Sequence, residues 1–397
     1  MIPKHIYIII AGLLAFGFVP TYKLRINNIF TFLSLAWSFG GLFLYSKMAV
    51  NRLNSFKNKQ WVFWILILIV FSSFTPVEVY NQSLVGSFVA LRTIPTIIYL
   101  NVFLMMQPDE DDFYTAFKFL GVLACALMLY STYFDPYLYI EAETAERRLS
   151  SILSGETTDI IFGKPGWVAV VFLFFMSFDR VVTGRASVVD GGLFLLSLAF
   201  IFVIQNRSTL LIIIPMLLYM LYKAKFRFKT TIVVFLVVVV GTYVSFILET
   251  LIEETKSQFL DPDYARWRAF DYYIRNWDYN FYTFLFGNGF TCKDSKFLTL
   301  IDLAKENGLY ASDLGMFGAF FHFGSVLIII LYNFVLKGLK RFNPVYLRFY
   351  AAWILLVPTI HIIHWNVATQ LKFSIFIYLV IYYRYKNRTA KLHLKHM

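Results

Sequence analysis

Apolar runs of membrane-spanning length recur along almost the whole chain and constrain its fold more than any other feature. Crossing the hydrocarbon core takes roughly 20 apolar residues per helix. Runs that qualify lie near residues 5–20, 28–45, 61–75, 84–106, 113–134, 166–182, 190–205, 208–223, 230–248, 312–336, 345–366 and 367–385. The composition, 59% hydrophobic and only 15% charged, is far from that of a soluble domain. The sequence therefore predicts an all-α polytopic membrane protein, a single transmembrane domain over residues 1–397 with about twelve transmembrane helices.

Lysine and arginine collect in alternate short turns, and this pattern sets the predicted orientation. An excess of these residues marks cytoplasmic loops, so the sequence predicts cytoplasmic N- and C-termini. The acidic turn from Gln107 to Asp112 is an exception, because it falls on the same side. The net charge of +12 does not indicate nucleic-acid binding, since the basic residues are scattered rather than gathered on one soluble face. The basic residues that this predicted orientation places in the cytoplasm are Lys4, Lys47, Arg52, Lys57, Lys59, Arg180, Arg185, Lys223, Lys225, Arg227, Lys229, Lys337, Lys340, Arg341, Arg348, Arg384, Lys386, Arg388, Lys391 and Lys395.

Two long polar segments interrupt the apolar runs, and both fall on the external side. They are a smaller loop at 135–165 and a large loop at 249–311. Asp261-Pro262 in the large loop has the residue types of an N-cap and a first helical position. Apolar side chains follow at spacings of three and four, which predicts an amphipathic helix on the outer leaflet, with tryptophans at the interface and tyrosines and charges towards protein or water. The apolar residues are Trp267, Phe270, Ile274 and Trp277, and the opposite face has Arg268, Asp271, Tyr272 and Arg275.

Two arginines stand out because they interrupt apolar sequence. Arg92 lies about 12 Å into a predicted span at 1.5 Å per residue, where an arginine either lines a ligand path or forms a structural pair, for instance with Glu78. Arg207, in the break Asn206-Arg207-Ser208, stands beside a helix N-terminus that would suit an anion. The alternative for Arg207 is an interfacial side chain that extends to the headgroups.

The large loop supplies three further arginines, Arg266, Arg268 and Arg275. Their planar guanidinium groups could hold phosphates through paired hydrogen bonds. The alternative is ion pairing on a solvated helix, with Asp263, Asp271 or Asp278 as partners. Proximity to Arg92 and Arg207 would distinguish the two.

The remaining polar residues have simpler interpretations. Asp313 is placed either as the N-cap of the helix after the large loop or as a general base at the floor of that loop. His361 and His364 lack a carboxylate to complete a metal site, and His322 is predicted to pack in the interior. Lys118 and Lys372 are predicted to extend towards the membrane surface, Cys125 and Cys292 to be incidental thiols, and no phosphate-binding or dinucleotide motif indicates a cofactor.

Three stretches in this order resemble the O-antigen polymerase and ligase superfamily, and the polymerases of the Wzy type more than the ligases. They are Asn206-Arg207-Ser208-Thr209-Leu210, then Leu285-Phe286-Gly287-Asn288-Gly289-Phe290, then Ser312-Asp313-Leu314-Gly315 leading to Phe323-Gly324. The resemblance covers about residues 195 to 336, and the N-terminal half agrees only in hydropathy.

The resemblance implies a GT-C-like glycosyltransferase of the bacterial cytoplasmic (inner) membrane. Such an enzyme polymerises oligosaccharide repeat units linked to undecaprenyl pyrophosphate at the outer face, without metal or cofactor. In related ligases outer-loop arginines hold the pyrophosphate, and a histidine acts on the acceptor hydroxyl. The position of that histidine, eleven residues before Gly324, is Asp313 here. The expected partners are the lipid-linked donor and acceptor, membrane lipid, a flippase and a chain-length regulator, and no nucleic acid.

These observations predict one site and leave two alternative functions open. Asp313 is the expected base, Arg207 and Arg275 are the first candidates for the pyrophosphate, and Arg92, Arg266 and Arg268 follow. The Gly287-Asn288-Gly289 segment is predicted to be a tight turn with a structural role. The alternatives are an O-antigen ligase, disfavoured by the missing histidine, and a transporter or flippase of lipid-linked oligosaccharide, which usually has two related halves.

Overall fold

In the computed structural model, every regular element among the described residues is an α-helix. The structure describes residues 2–19, 27–47, 56–90, 97–134, 165–204, 213, 215–219, 222, 264–278, 280–292, 295–309, 314–360 and 367–395. The helices are α1 (Lys4–Ala15), α2 (Asn27–Tyr45), α3 (Phe56–Tyr80), α4 (Leu84–Ala90), α5 (Tyr99–Met106), α6 (Glu110–Tyr133), α7 (Trp167–Val182), α8 (Val188–Ile204), α9 (Ala265–Arg275), α10 (Phe281–Phe286), α11 (Lys296–Glu306), α12 (Met316–Gly338), α13 (Val345–Ile360) and α14 (Val367–Lys395).

The predicted all-helical class is confirmed for this part of the chain, and the helices outside the large loop lie where the apolar runs predicted them. Three are long and apolar enough to cross a membrane, Gln60–Tyr80, Glu110–Ser131 and Met316–Gly338. Shorter apolar helices are Lys4–Ala15, Ile29–Tyr45, Val188–Ile201 and Val345–Leu356. The predicted run 84–106 contains two helices, α4 and α5. The number of spans stays a prediction, because the run at 230–248 lies outside the described residues.

Aromatic side chains fill the centre of the helix bundle. α6 packs between α1 and α7, and α7 also contacts α8 and α13. The rings of Phe117 on α6 and Phe172 on α7 stack with centroids 4.3 Å apart. Fully buried Tyr350 and Trp353 extend this core to α13. Such close ring packing holds the bundle together through contact area rather than through polar bonds.

One end of the bundle, here called the basic end, is tied together by ion pairs. Lys4 lies 3.9 Å from Asp112 and donates to the carbonyl of Gln107 at 2.8 Å, and Arg180 pairs with Asp111. Arg185 lies 3.6 Å from Glu110. These contacts explain why an acidic turn lies at the same end as the basic turns. Its carboxylates neutralise the arginines and the lysine of the turns beside it. The turns at Lys4 and at Arg180 and Arg185, which charge placed on one side, meet at one end, while residues 48–55 and 223–229 lie outside the described residues.

A helical cap covers the opposite end of the bundle, here called the cap end. The cap is defined as the described part of the large loop, residues 264–309, with helices α9, α10 and α11. It has a hydrophobic core of its own, which includes Ala269, Tyr273, Trp277 and Ile301 and closes onto Phe321 of α12. α3, which starts beside Lys337 at the basic end, reaches the cap with its last residue. The cap therefore docks on α3 and on the first half of α12.

Candidate functional site

The helix beneath the cap, α12, is broken at Gly324. This residue has φ 70° and ψ −175°, which is not a helical conformation. In an α-helix the carbonyl of residue i accepts a hydrogen bond from the amide of residue i+4. The break therefore frees carbonyl groups on the turn that precedes it, and a buried carbonyl without a donor is costly.

The cap supplies the missing donors from the segment 287–292. The amide of Asn288 donates to the carbonyl of Phe321 at 2.8 Å, and the amide of Gly289 donates to that of His322 at 3.0 Å. A Cβ at Gly287 would lie 2.4 Å from the backbone of His322. A Cβ at Gly324 would lie 2.3 Å from the backbone of Leu285. The backbone segments around Gly287 and Gly324 therefore cross at a distance that only glycine permits at these two positions.

The Gly-Asn-Gly segment, predicted as a tight turn, crosses α12 as irregular backbone with both glycines at positive φ, 77° for Gly287 and 71° for Gly289. Its structural role agrees with the prediction. The side chain of Asn288 is fully buried; its amide nitrogen donates to the Phe321 carbonyl at 3.2 Å. Its amide oxygen accepts from the Tyr80 hydroxyl, also at 3.2 Å. Irregular backbone at membrane depth needs such a complete set of partners.

A glutamine between α3 and α4 holds the next part of the segment. The Nε2 group of Gln82 donates to the carbonyl of Phe290, and its Oε1 accepts from the amide of Cys292, both at 2.9 Å. Gln82 is 2% exposed. One buried carboxamide thus pairs with the backbone as a neighbouring strand would. The connection between the cap and α3 is fixed by polar bonds on both sides of Phe290.

His322 lies at the crossing and has its ring orientation fixed. Nδ1 is 2.7 Å from the carbonyl oxygen of Gly289, and because a carbonyl only accepts, Nδ1 carries the proton. The ring stacks on Phe290 with centroids 4.5 Å apart and planes 6° apart. Interior packing was the prediction for this residue, and the structure adds a specific hydrogen bond to it.

The orientation of α9 on the cap agrees with part of the prediction. Tyr273 and Ala269 face the protein at 1% exposure each, while Trp267 is 45% exposed. Trp277 departs from the predicted interfacial position, because it is buried against Phe317, Phe320 and Phe321 of α12. The ring cluster at the start of α12 draws it inwards. Burial also raises the pKa of the Tyr272 hydroxyl, which donates to the carbonyl of Leu300 at 2.8 Å.

Three of the predicted site residues lie together on α9. Arg268 and Arg275 are exposed on one helix face, as the spacing predicts. Arg275 pairs with Asp271 at 2.8 Å, with both side chains more than half exposed. Arg266 is less exposed and its guanidinium lies 5.9 Å from the ring centre of Tyr264. The alternative of ion pairing on a solvated helix therefore describes Arg275 in the free protein.

The other three predicted site residues, Arg92, Arg207 and Asp313, lie outside the described residues. The same is true of His361 and His364. α12 begins at Met316 with Gly315 at its N-cap position. Of the two cysteines, Cys125 is buried and Cys292 is partly buried, and both are free thiols.

Sequence reasoning did not identify Tyr80 and Gln82, and it gave Asn288 a structural turn and His322 interior packing without the hydrogen bonds that they form at the crossing. The signal for Asn288 was present, since an asparagine between two glycines often sits in unusual backbone. Nothing local marks Tyr80 or Gln82, whose partners come from more than 200 residues further along the chain. Comparison of the chain with protein-family models, with curated proteins and with solved structures found no match.

Proposed function

We propose that this chain is a membrane glycosyltransferase that polymerises oligosaccharide repeat units linked to undecaprenyl pyrophosphate at the outer face of the bacterial cytoplasmic membrane. The observation that best supports the proposal is the cap, which carries exposed Arg268 and Arg275 on one face of α9. The cap rests on a broken helix at the end of the bundle away from the ion-paired basic end. A pyrophosphate that departs at the outer face needs a cationic surface of this kind to stabilise its charge.

The exposed pair of Arg275 and Asp271 leaves the arginine available for a ligand. Exposed ion pairs at this helical spacing contribute only about 0.3–0.5 kcal/mol. A pyrophosphate offers Arg275 a charge-assisted, two-pronged contact that is stronger than this pair. Exchange of Asp271 for a pyrophosphate would therefore cost little.

The proposed reaction requires charge stabilisation and proton removal, and no redox step. The bond between the anomeric carbon of the donor glycan and the pyrophosphate oxygen breaks, and the electron pair leaves with the oxygen. The acceptor hydroxyl oxygen forms the new bond, and its proton passes to a base, for which we propose Asp313. Arginine contacts that strengthen as charge develops on the leaving oxygens lower the barrier. Arg207 and Arg275 are proposed first in this role, with Arg92, Arg266 and Arg268 next.

The broken helix also bears on the alternative of a transporter. In transporters, broken helices place free carbonyls and amides around a substrate or an ion. Here the carbonyls of Phe321 and His322 already accept hydrogen bonds from Asn288 and Gly289. The break therefore serves to seat the cap, which favours a fixed external platform over an alternating-access site.

The test is complementation of a deletion strain, with surface glycan length read on a gel. Arg207→Ala, Arg275→Ala and Asp313→Asn are expected to give single-repeat glycan without polymer at normal protein level. Arg388→Ala is the matched control, because Arg388 is an exposed arginine on the part of α14 beyond the basic end. It should leave the polymer unchanged.

The outcomes separate the three functions. Wild-type polymer in all three site variants would refute the site assignment. If the deletion strain itself makes normal polymer, the polymerase proposal is wrong. Loss of single-repeat glycan together with polymer would favour a flippase or a ligase.

A further inference from the structure

Three cations at the basic end form a group apart from its ion pairs. Lys337 is in the last turn of α12, Lys340 follows that helix, and Arg384 is on α14. These three residues are here called the Lys337 patch. Lys340 and Arg384 lie close enough to Lys337 to repel its charge. Among the described residues, no carboxylate lies within ion-pair distance of any of the three.

Hydrogen bonds to the backbone bring the members of the patch together. The Nδ2 group of Asn343 donates to the carbonyl of Lys337 at 2.8 Å, so the turn after α12 folds back onto the end of that helix. On α14, the Nδ2 group of Asn387 donates to the carbonyl of Phe342 in the same turn at 3.3 Å. Arg384 lies one helical turn before Asn387. The fold therefore holds like charges from two helices near one another.

The other cations of the basic end have carboxylates as partners, which sets the Lys337 patch apart. The acidic turn and Asp179 pair with Lys4, Arg180 and Arg185. Glu110 of the acidic turn also contacts α14, but there it accepts a hydrogen bond from the Tyr383 hydroxyl at 2.7 Å. Like charges that are held near one another repel. A bound anion would relieve that repulsion.

The patch lies at the boundary of the predicted membrane layer. α12 is long and apolar enough to cross a membrane, and Lys337 is the second-last residue of that span. Trp61 is the second residue of the span Gln60–Tyr80, and its ring centre is 5.5 Å from the Lys337 ammonium. Tryptophan is enriched at the level of the lipid headgroups. Leu336, next to Lys337, is 60% exposed and offers apolar surface to an acyl chain.

We infer that the Lys337 patch, with Trp61 beside it, binds the headgroup of an anionic phospholipid in the leaflet that meets the basic end. The ammonium of Lys337 and the guanidinium of Arg384 are suitable donors for its phosphate. A lipid fits better than an acidic segment of another protein, because Lys337 belongs to a membrane-crossing helix and has a lipid-facing neighbour. The inference is independent of the proposed function, which concerns the cap end.

The test is lipid binding by the full-length protein in detergent, counted by native mass spectrometry. The probes are dioleoylphosphatidylglycerol, which is anionic, and dioleoylphosphatidylcholine, which has no net charge. The wild type should bind phosphatidylglycerol more tightly. Lys337→Gln and Arg384→Gln should each weaken its binding about fivefold, and the double variant about 25-fold, the effect of one and of two basic residues near an anionic headgroup. Binding of phosphatidylcholine should not change.

Two further variants serve as controls. Lys337→Arg keeps the charge beside Trp61 and should keep the affinity for phosphatidylglycerol, which separates loss of charge from a disturbed end of α12. Lys296→Gln is the matched control, because Lys296 is an exposed lysine at the start of α11 in the cap. It removes the same charge at the other end of the bundle and should leave the affinity as it is in the wild type.

Several results would overturn the inference. Equal affinity of the wild type and the double variant for phosphatidylglycerol would remove the site. Equal affinity of the wild type for the two lipids would show that apolar contact alone holds them. A loss in Lys296→Gln as large as in Lys337→Gln would show a general attraction to the net charge of the protein. Inorganic phosphate that displaces phosphatidylglycerol as well as the lipid displaces itself would identify a free-phosphate site. Each of these results would leave the proposed function standing.

Discussion

Substitution of Gly324 by alanine tests the crossing on which the cap is seated. A side chain at φ 70° and ψ −175° costs about 1–3 kcal/mol in backbone strain. The new Cβ would also lie 2.3 Å from the backbone of Leu285, so the cap segment must move away. That movement would lengthen or break the hydrogen bonds from the amides of Asn288 and Gly289 to α12. Two such hydrogen bonds contribute about 1–3 kcal/mol. The sum is a loss of roughly 2–6 kcal/mol of stability.

Thermal unfolding of the purified protein in detergent, followed by tryptophan fluorescence, measures the effect. We expect Gly324→Ala to lower the melting temperature by several degrees and to reduce the protein level in the membrane. The control is Gly40→Ala, because Gly40 is inside α2 and its added Cβ would meet nothing within 4 Å. Alanine there is expected to be neutral or stabilising by about 0.5–1 kcal/mol. Equal melting temperatures for Gly324→Ala and the wild type would refute the crossing.

Two further substitutions test the polar contacts at the two ends of the bundle. His322→Leu leaves the Gly289 carbonyl without its donor and should cost about 1–3 kcal/mol. His322→Asn keeps a donor near the Nδ1 position and should cost less in the same melting assay; an equal loss for both variants would show that ring packing alone matters. Asp179→Asn removes the 2.9 Å ion pair with Arg185. The arginine side chain is 56% exposed, so water can solvate its charge once the carboxylate is gone. The expected loss of unfolding free energy is therefore about 1–3 kcal/mol. An unchanged melting temperature would show that this pair does not stabilise the basic end.

Hydropathy and charge predicted the parts of the fold that depend on one helix at a time. A run of apolar residues predicts a helix wherever it is long enough, and α3, α6 and α12 all coincide with such runs. The basic turns predicted which loops share one end, and the ion pairs of Lys4, Arg180 and Arg185 agree with that grouping. The acidic turn was an exception only while each loop was considered alone. Its carboxylates have their counterions on other loops, which a count within one loop does not include.

The candidate site was less predictable because its geometry depends on contacts between distant segments. The exposed face of α9 follows from helical spacing, so the positions of Arg268 and Arg275 were predictable. The burial of the Trp277 side chain was not predictable, since it depends on the cluster of aromatic rings on α12. Gly324 was noticed only as part of a motif, although its conformation decides where the cap is seated.

The break in α12 and the glycines of the cap explain each other only as a pair. A glycine inside an apolar helix is common, and its own sequence does not show that the backbone is broken there. The free-energy cost of the break is offset because Asn288, 33 residues before Phe321, donates to the freed Phe321 carbonyl from both its backbone amide and its side-chain carboxamide. The cap is fixed to the backbone at this break, and Trp277, just after α9, packs on Phe317 and Phe321 of α12, so the helix that carries the arginines is seated on α12. A preorganised cationic surface is what stabilisation of a departing pyrophosphate requires, so the same glycine that interrupts the helix also serves the proposed chemistry.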